Sequence, residues 1–172
     1  MNKETILQFL ESWENMELII NDISNNTSYF ELLMDIALND NRYITWRAAW
    51  LIDKIHEKHP YLILPYLGEL ISNLDKQELS GKKRHFLKII SMHEVKEEHY
   101  GFLIDYCLKA FTSGKEPIAI KVHAMQILYN ISINEPDLRN EIAHVIEFEI
   151  ENHPTPGIVS RGKKLLRKLG KN

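Results

Sequence analysis

One helical stripe of side chains recurs four times in this chain, each time 38 residues further on. Its four positions are spaced i, i+3, i+4 and i+7, which places them on one face of an α-helix. A fixed period of this size is typical of a solenoid, in which each unit buries its apolar face by stacking on the next. The copies are Ala48, Leu51, Ile52 and Ile55; Phe86, Ile89, Ile90 and His93; Ala124, Ile127, Leu128 and Ile131; and Gly162, Leu165, Leu166 and Leu169.

A second stripe, spaced i, i+4 and i+8, precedes each copy of the first and has the same period. The two stripes predict a repeated hairpin, in which an A helix is followed by a B helix. The second-stripe copies are Ser28, Leu32 and Ile36; Tyr66, Leu70 and Leu74; Ile104, Leu108 and Thr112; and Ile142, Ile146 and Ile150. We place the A helices at about 27–39, 60–74, 96–112 and 137–152, and the B helices at about 42–59, 82–93, 117–134 and 155–169.

The sequence of one predicted B helix resembles a known repeat family. Residues 46–55, Trp-Arg-Ala-Ala-Trp-Leu-Ile-Asp-Lys-Ile, are similar to the B helix of a HEAT repeat, and residues 121–131 are a looser copy. The resemblance covers about residues 27–169 and implies a HEAT- or armadillo-like α-solenoid. HEAT units often carry an aspartate in the turn that meets the B-helix arginine, and only the first unit offers such a pair, Asp40 and Arg47.

We therefore expect one all-α domain over residues 1–172, a right-handed α-α superhelix of about four helical hairpins. The repeat units run over about 27–59, 60–93, 96–134 and 137–169, and residues 1–26 form an N-terminal helical cap. Terminal units of solenoids are usually atypical because one side meets water. The sequence leaves open whether Trp46 and Trp50 are exposed or covered by the cap.

Positive charge is concentrated in the predicted B helices. They contain fourteen Lys or Arg and two acidic residues, whereas residues 3–25 and the A helices together contain four Lys or Arg and sixteen acidic residues. The B layer of HEAT proteins is concave, so the resemblance implies a basic concave surface that attracts anionic partners. Basic residues beside a core stripe are also ordinary solvated surface, which is the competing interpretation.

The candidate partner-binding residues lie on the predicted B helices, on or beside the face opposite the core. They combine aromatic, basic and polar side chains, and Trp, Tyr and Arg dominate binding hot spots. The set is Trp46, Arg47, Trp50, Arg84, Lys88, His123, Gln126, Arg161, Lys164 and Arg167.

The sequence carries no recognisable catalytic constellation. It lacks a Gly-x-Ser-x-Gly motif and a glycine-rich phosphate loop, and its single cysteine, Cys107, lies in an apolar helical stretch. Helical lyases need a much longer chain and a signature loop that is absent here. We expect no cofactor, no metal site and no small-molecule substrate. No apolar stretch is long enough to span a membrane and no signal peptide is recognised, so a cytoplasmic protein without membrane partners is expected.

These observations favour a non-catalytic interaction module, or scaffold, that binds a protein or an anionic partner on its B-helix surface. The alternative is a nucleic-acid-binding protein related to the HEAT-like DNA glycosylases of alkylation repair. Those proteins grip DNA in a basic concave face, with aromatic residues and an acid near the lesion. Trp46, Trp50 and Asp53 match them in residue type on one predicted B-helix face.

Overall fold

The computed structural model describes residues 1–170, in which it has ten α-helices and no β-strand. The predicted all-α class is confirmed, and the last eight helices follow the predicted order of A and B helices. The helices are α1 (Lys3–Ser12), α2 (Met16–Ser24), α3 (Thr27–Asn39), α4 (Trp46–Lys58), α5 (Leu67–Ser72), α6 (Ser80–Ile90), α7 (Tyr100–Thr112), α8 (Ile118–Asn134), α9 (Arg139–Asn152) and α10 (Pro156–Lys168).

The second A helix departs most from its predicted range. Residues Pro60–Tyr66 form a 3-10 helix, and only Leu67–Ser72 is α-helical. Pro65 lies inside this stretch, and proline has no N–H to donate to the preceding turn while its ring clashes with the carbonyl four residues back. A continuous α-helix from residue 60 is therefore disfavoured.

The chain divides into two compact units, unit 1 from Met1 to Ile89 and unit 2 from Ile90 onward. Unit 1 contains the cap helices α1 and α2, the first hairpin (α3 and α4), and α5 with nearly all of α6. Unit 2 contains the third hairpin (α7 and α8) and the fourth (α9 and α10). Each unit has its own buried apolar side chains, such as Leu33 and Ile52 in unit 1 and Leu103 and Leu128 in unit 2.

The B-helix stripe forms the core as predicted. Of its sixteen positions, all except His93, Leu166 and Leu169 are buried. Gly162 is buried against α9, where an added Cβ would lie 2.7 Å from Ile150 Cδ1 and 3.1 Å from Ile146 Cγ2. Glycine at this core position therefore allows α10 to approach α9 closely.

The A-helix stripe is only partly correct. In α7, Ile104 and Leu108 are half-buried and Thr112 is exposed, whereas the buried residues are Tyr100, Leu103, Cys107, Ala110 and Phe111. In α3 the predicted Ser28 is exposed as well. An i, i+4, i+8 row turns about 40° around the helix at each step, because 3.6 residues make one turn. Such a row leaves the core, and the true stripe alternates steps of three and four.

Candidate functional site

Trp46 and Trp50, the two tryptophans of the predicted binding surface, are covered by the cap. Trp13, directly after α1, packs at a tilt against Trp50, with ring centroids 4.7 Å apart and ring planes inclined by 54°, and its ring centroid lies 6.2 Å from that of Trp46. Trp13 adopts a left-handed backbone conformation with φ of 56°, which is rare for a bulky residue. The question of whether the two B-helix tryptophans are exposed is thus answered: both are half-buried beneath Trp13.

Arg47 ties the cap to α4. Its guanidinium donates hydrogen bonds to the carbonyl oxygens of Leu10 (2.7 Å) and Glu11 (3.2 Å), and it lies 4.7 Å from the centroid of Trp13. A cation here satisfies carbonyls that the end of α1 leaves unpaired and favours the helix dipole. The resemblance-based pairing of Asp40 with Arg47 is not observed, because Asp40 binds the Arg42 guanidinium at 2.6 Å. That contact holds the pKa of Asp40 at about 2.

A polar cluster joins α4 and α6 within unit 1. Asp53 Oδ2 lies 2.9 Å from His85 Nδ1, and Lys88 Nζ lies 2.8 Å from Asp53 Oδ1 and 3.0 Å from Glu57 Oε1. Arg84 lies 3.3 Å from His85 Nε2. A guanidinium has no acceptor, so His85 Nε2 accepts and the ring proton is on Nδ1, from which it is donated to Asp53.

The carboxylate of Asp53 is buried and is not accessible to a ligand in this geometry. Burial alone would raise the pKa of its carboxyl group, but hydrogen bonds from His85 and Lys88 outweigh that effect and lower it below its usual value. The residue is only 2% exposed. Asp53 therefore acts as the counter-ion of Lys88 and the hydrogen-bond acceptor of His85, and it does not present an oxygen to solvent.

Two cations of the B helices are buried and are not part of any surface. Lys82 in α6 is fully buried and donates a hydrogen bond to the backbone oxygen of Asp40 at 2.6 Å. Lys121 in α8 pairs with Glu149 in α9 at 3.1 Å, and their side chains are 8% and 1% exposed. Glu149 also lies 3.3 Å from His153. The predicted basic layer is therefore smaller than the residue count suggests.

Exposed positive charge is concentrated on α10. Arg161 donates to the Gln126 side-chain oxygen in α8 at 2.7 Å, and Lys168 Nζ lies 5.8 Å from the ring centroid of Tyr129. These contacts define the α8–α10 face, which consists of Gln126, Tyr129, Arg161, Lys164, Arg167 and Lys168.

The cations of the α8–α10 face form no ion pair with a carboxylate of the described residues. Lys164, Arg167 and Lys168 are exposed, and α10 contains five Lys or Arg and no acidic residue. No carboxylate within residues 1–170 forms an ion pair with any of these cations. Their field therefore extends into solvent.

The structure separates the predicted binding residues into two groups. Of those in unit 1, Trp46, Trp50 and Arg47 contact the cap and Lys88 contacts Asp53 and Glu57, whereas Arg84 is exposed beside His85. In unit 2, Gln126, Arg161, Lys164 and Arg167 belong to one continuous face, and His123 is half-buried on the same helix as Gln126.

Sequence reasoning missed Trp13 as the residue that covers Trp46 and Trp50. The available signal was an aromatic residue at the end of the apolar stripe of α1.

The remaining chemistry of the chain is limited. Burial raises the pKa of the Cys107 thiol, so this side chain is a poor nucleophile. No group of three or more His, Cys, Asp or Glu side chains in the described part of the chain is arranged to hold a metal ion. None of the helices within residues 1–170 combines the length and the apolar character needed to cross a membrane.

Comparison with known proteins gives one match. The family model described as HEAT repeat domain matches residues 4–169, which is nearly the whole chain and includes most of the cap. No curated protein and no solved structure gives a significant match.

Proposed function

Because the chain belongs to the HEAT-repeat family, whose members generally mediate protein interactions, we propose that it binds an acidic segment of a partner protein on the α8–α10 face. HEAT repeats stack helical hairpins into α-solenoids, whose extended surfaces serve as docking sites. The proposed role is non-catalytic: the face positions a partner and carries out no reaction.

The observation that carries this proposal is the concentration of exposed cations on α10, whereas several B-helix cations of unit 1 are paired or buried. In unit 1, Lys88 and Lys54 contact carboxylates, and Lys82 is buried. In unit 2, Lys164 and Arg167 have no such neighbour within residues 1–170. Like charges held close together repel one another, and an acidic ligand relieves that repulsion while it gains its own attraction.

The face also contains the anchors that a protein partner needs. The hydrogen bond from Arg161 to Gln126 holds the guanidinium in place before binding, which lowers the entropy lost on association. Tyr129 is half-buried beside Lys168 and offers an aromatic surface. Arginine and tyrosine in the centre of an interface are typical hot-spot residues.

Two observations favour a protein partner over duplex DNA. The chain has a formal net charge of −3 and a pI near 6.2, whereas nucleic-acid-binding domains are usually strongly basic. Asp53, which matched the glycosylases in residue type, is buried against His85 and Lys88.

The test compares a labelled Glu/Asp-rich peptide with a labelled DNA duplex, using fluorescence anisotropy at physiological salt. We expect the acidic peptide to bind, and Lys164→Glu/Arg167→Glu to weaken it about tenfold, since two attractive contacts become repulsive. The matched control is Lys109→Glu/Lys115→Glu, which reverses two exposed lysines of unit 2 outside the face. Equal loss in the control, or tighter and steeply salt-dependent binding of the duplex, would contradict the proposal.

The same variants identify the natural partner. Wild-type protein and Lys164→Glu/Arg167→Glu serve as parallel baits, and copurified proteins are compared by mass spectrometry. A true partner carries an acidic segment, is retained by the wild type and the control, and is lost with the double variant.

A further inference from the structure

A second surface, on the cap, has the opposite charge and lies within unit 1. It is a groove of about 410 Å³ lined by residues of α1 and α2 and of the turn between them. Its apolar lining includes Phe9, Leu18 and Ile19, and Glu14 and Asp22 add negative charge. Leu18 is 71% exposed, an unusual position for a leucine in a helix with a well-buried opposite side.

The part of the chain that surrounds this cap groove is rich in acidic residues. Residues 4–41 contain eight Asp or Glu and no Lys, Arg or His. Asp35 and Asp40 are matched by Lys3 and Arg42, which lie just outside this stretch. Within residues 1–170, neither Glu14 nor Asp22 forms an ion pair. An occupant of the groove is therefore expected to bring positive charge.

The groove is formed before any ligand binds. The turn between α1 and α2 contains two residues with positive φ, Trp13 at 56° and Asn15 at 53°. Such conformations persist only where the surroundings hold them. Here Trp13 packs against Trp50, and Arg47 donates hydrogen bonds to the carbonyl oxygens of Leu10 and Glu11 in the last turn of α1. A pre-organised groove loses less entropy on binding than one that must be ordered by its ligand.

The dimensions suit a helical ligand. The groove is lined by α1 and α2, which contain ten and nine residues and are therefore roughly 14 Å long at 1.5 Å per residue. A helix laid along it presents side chains at i, i+3 or i+4, and i+7 within this distance, as in known helix-in-groove recognition. We propose that the cap groove binds an amphipathic helix of a partner protein, with aliphatic anchors on one face and Lys or Arg beside them. This surface is separate from the α8–α10 face, and its ligand has the opposite charge.

The first test probes the apolar contact. Two synthetic amphipathic peptides share one Leu pattern, and their remaining positions are Lys in one and Glu in the other. We expect the Leu/Lys peptide to bind the full chain and Leu18→Ser to weaken it at least about tenfold. The control is Leu64→Ser, which removes a leucine that is 57% exposed elsewhere in unit 1. Both side chains face solvent, so neither variant should change the circular-dichroism melt.

The second test probes the charge. Glu14→Lys/Asp22→Lys should weaken the Leu/Lys peptide about tenfold and strengthen binding of the Leu/Glu peptide. The control Glu31→Lys/Glu69→Lys reverses two exposed acids of unit 1 outside the groove and should leave both affinities within about twofold.

Four results would overturn the proposal. The first two are that the Leu/Lys peptide does not bind and that the Leu/Glu peptide binds the wild type equally well. The third is that the control variants lose as much peptide affinity as the groove variants. The fourth is that the chain associates with itself and that Leu18→Ser abolishes this association. The last result would assign the groove to a second copy of this chain. Analytical ultracentrifugation over a range of concentrations detects it.

Discussion

Lys82 provides a sharp test of the packing in unit 1, because a lysine is rarely buried without an acidic partner. Its side chain is fully buried, and its ammonium group donates to the backbone oxygen of Asp40. Burial lowers the pKa of Lys82 from 10.5 to about 8, although the negative charge of Asp40 opposes that shift. Lys82→Met keeps an unbranched side chain of similar length and removes the charge.

The magnitude follows from proton linkage. The unfolded chain keeps the Lys82 proton up to pH 10.5, whereas the folded chain releases it above about pH 8. Between these values the unfolded state binds more protons, so the free energy of unfolding rises with pH by at most about 3 kcal/mol, at about 1.4 kcal/mol per pKa unit. Below pH 8 the cost of the buried charge is fully present. Met at this position abolishes this part of the pH dependence.

The stability of Lys82→Met relative to the wild type should therefore decrease by about 2 kcal/mol between pH 7.5 and pH 10. At pH 7.5 the substitution has two opposing effects on the free energy of unfolding: removal of the buried charge raises it, and loss of the hydrogen bond, worth about 1.5–3 kcal/mol for a charged donor, lowers it. The informative quantity is therefore the change in this free energy with pH. Urea unfolding followed by tryptophan fluorescence is suitable, because Trp13, Trp46, Trp50 and Lys82 all lie in unit 1. Lys58→Met, at an exposed position of α4, is the control. Parallel pH curves for Lys82→Met and wild type would refute the assigned burial.

Two further predictions concern unit 2 and use urea unfolding followed by circular dichroism. Leu128→Asp should destabilise the protein by more than about 4 kcal/mol because it places an unpaired charge at a buried position. Gln126→Asp should cost less than about 1 kcal/mol. Equal costs for the two variants would show that the assigned buried face of α8 is wrong. Lys121→Met should cost about 3–5 kcal/mol because it leaves Glu149 buried without its partner, and Lys121→Met/Glu149→Leu should recover most of that loss. Additive costs in this double-mutant cycle would contradict a coupled buried pair.

The repeated core was predictable because its pattern is local. Ala48, Leu51 and Ile52 form one face of one helix, and the same spacing 38 residues later reports the same environment. The A helices were less predictable, since a row of i+4 steps turns away from the core. In α7 the buried residues include Leu103 and Cys107, each one position before the predicted Ile104 and Leu108.

Residue counts could not predict which lysines and arginines of the B helices are paired with an acceptor and which are exposed. Lys82 contacts a backbone oxygen 42 residues away, Lys88 a carboxylate 35 residues away, and Lys121 a carboxylate 28 residues away. Each contact depends on how neighbouring helices pack, and side-chain spacing within one helix carries no information about it. Basic residues of the same predicted class are therefore buried, ion-paired or free on the surface according to what the adjacent helix places opposite them.

The small net charge of −3 is a sum over local surfaces that have opposite sign. The cap groove has Glu14 and Asp22 without counter-ions within residues 1–170, and the α8–α10 face has Lys164 and Arg167 without them. Fields of exposed charges decay over about 8 Å at physiological ionic strength, so a ligand responds to the surface it touches and not to the net charge. A chain that binds a basic helix on one surface and an acidic segment on the other would join two partners, and salt should weaken both contacts. Lys164→Glu/Arg167→Glu should then release one partner and leave the other bound.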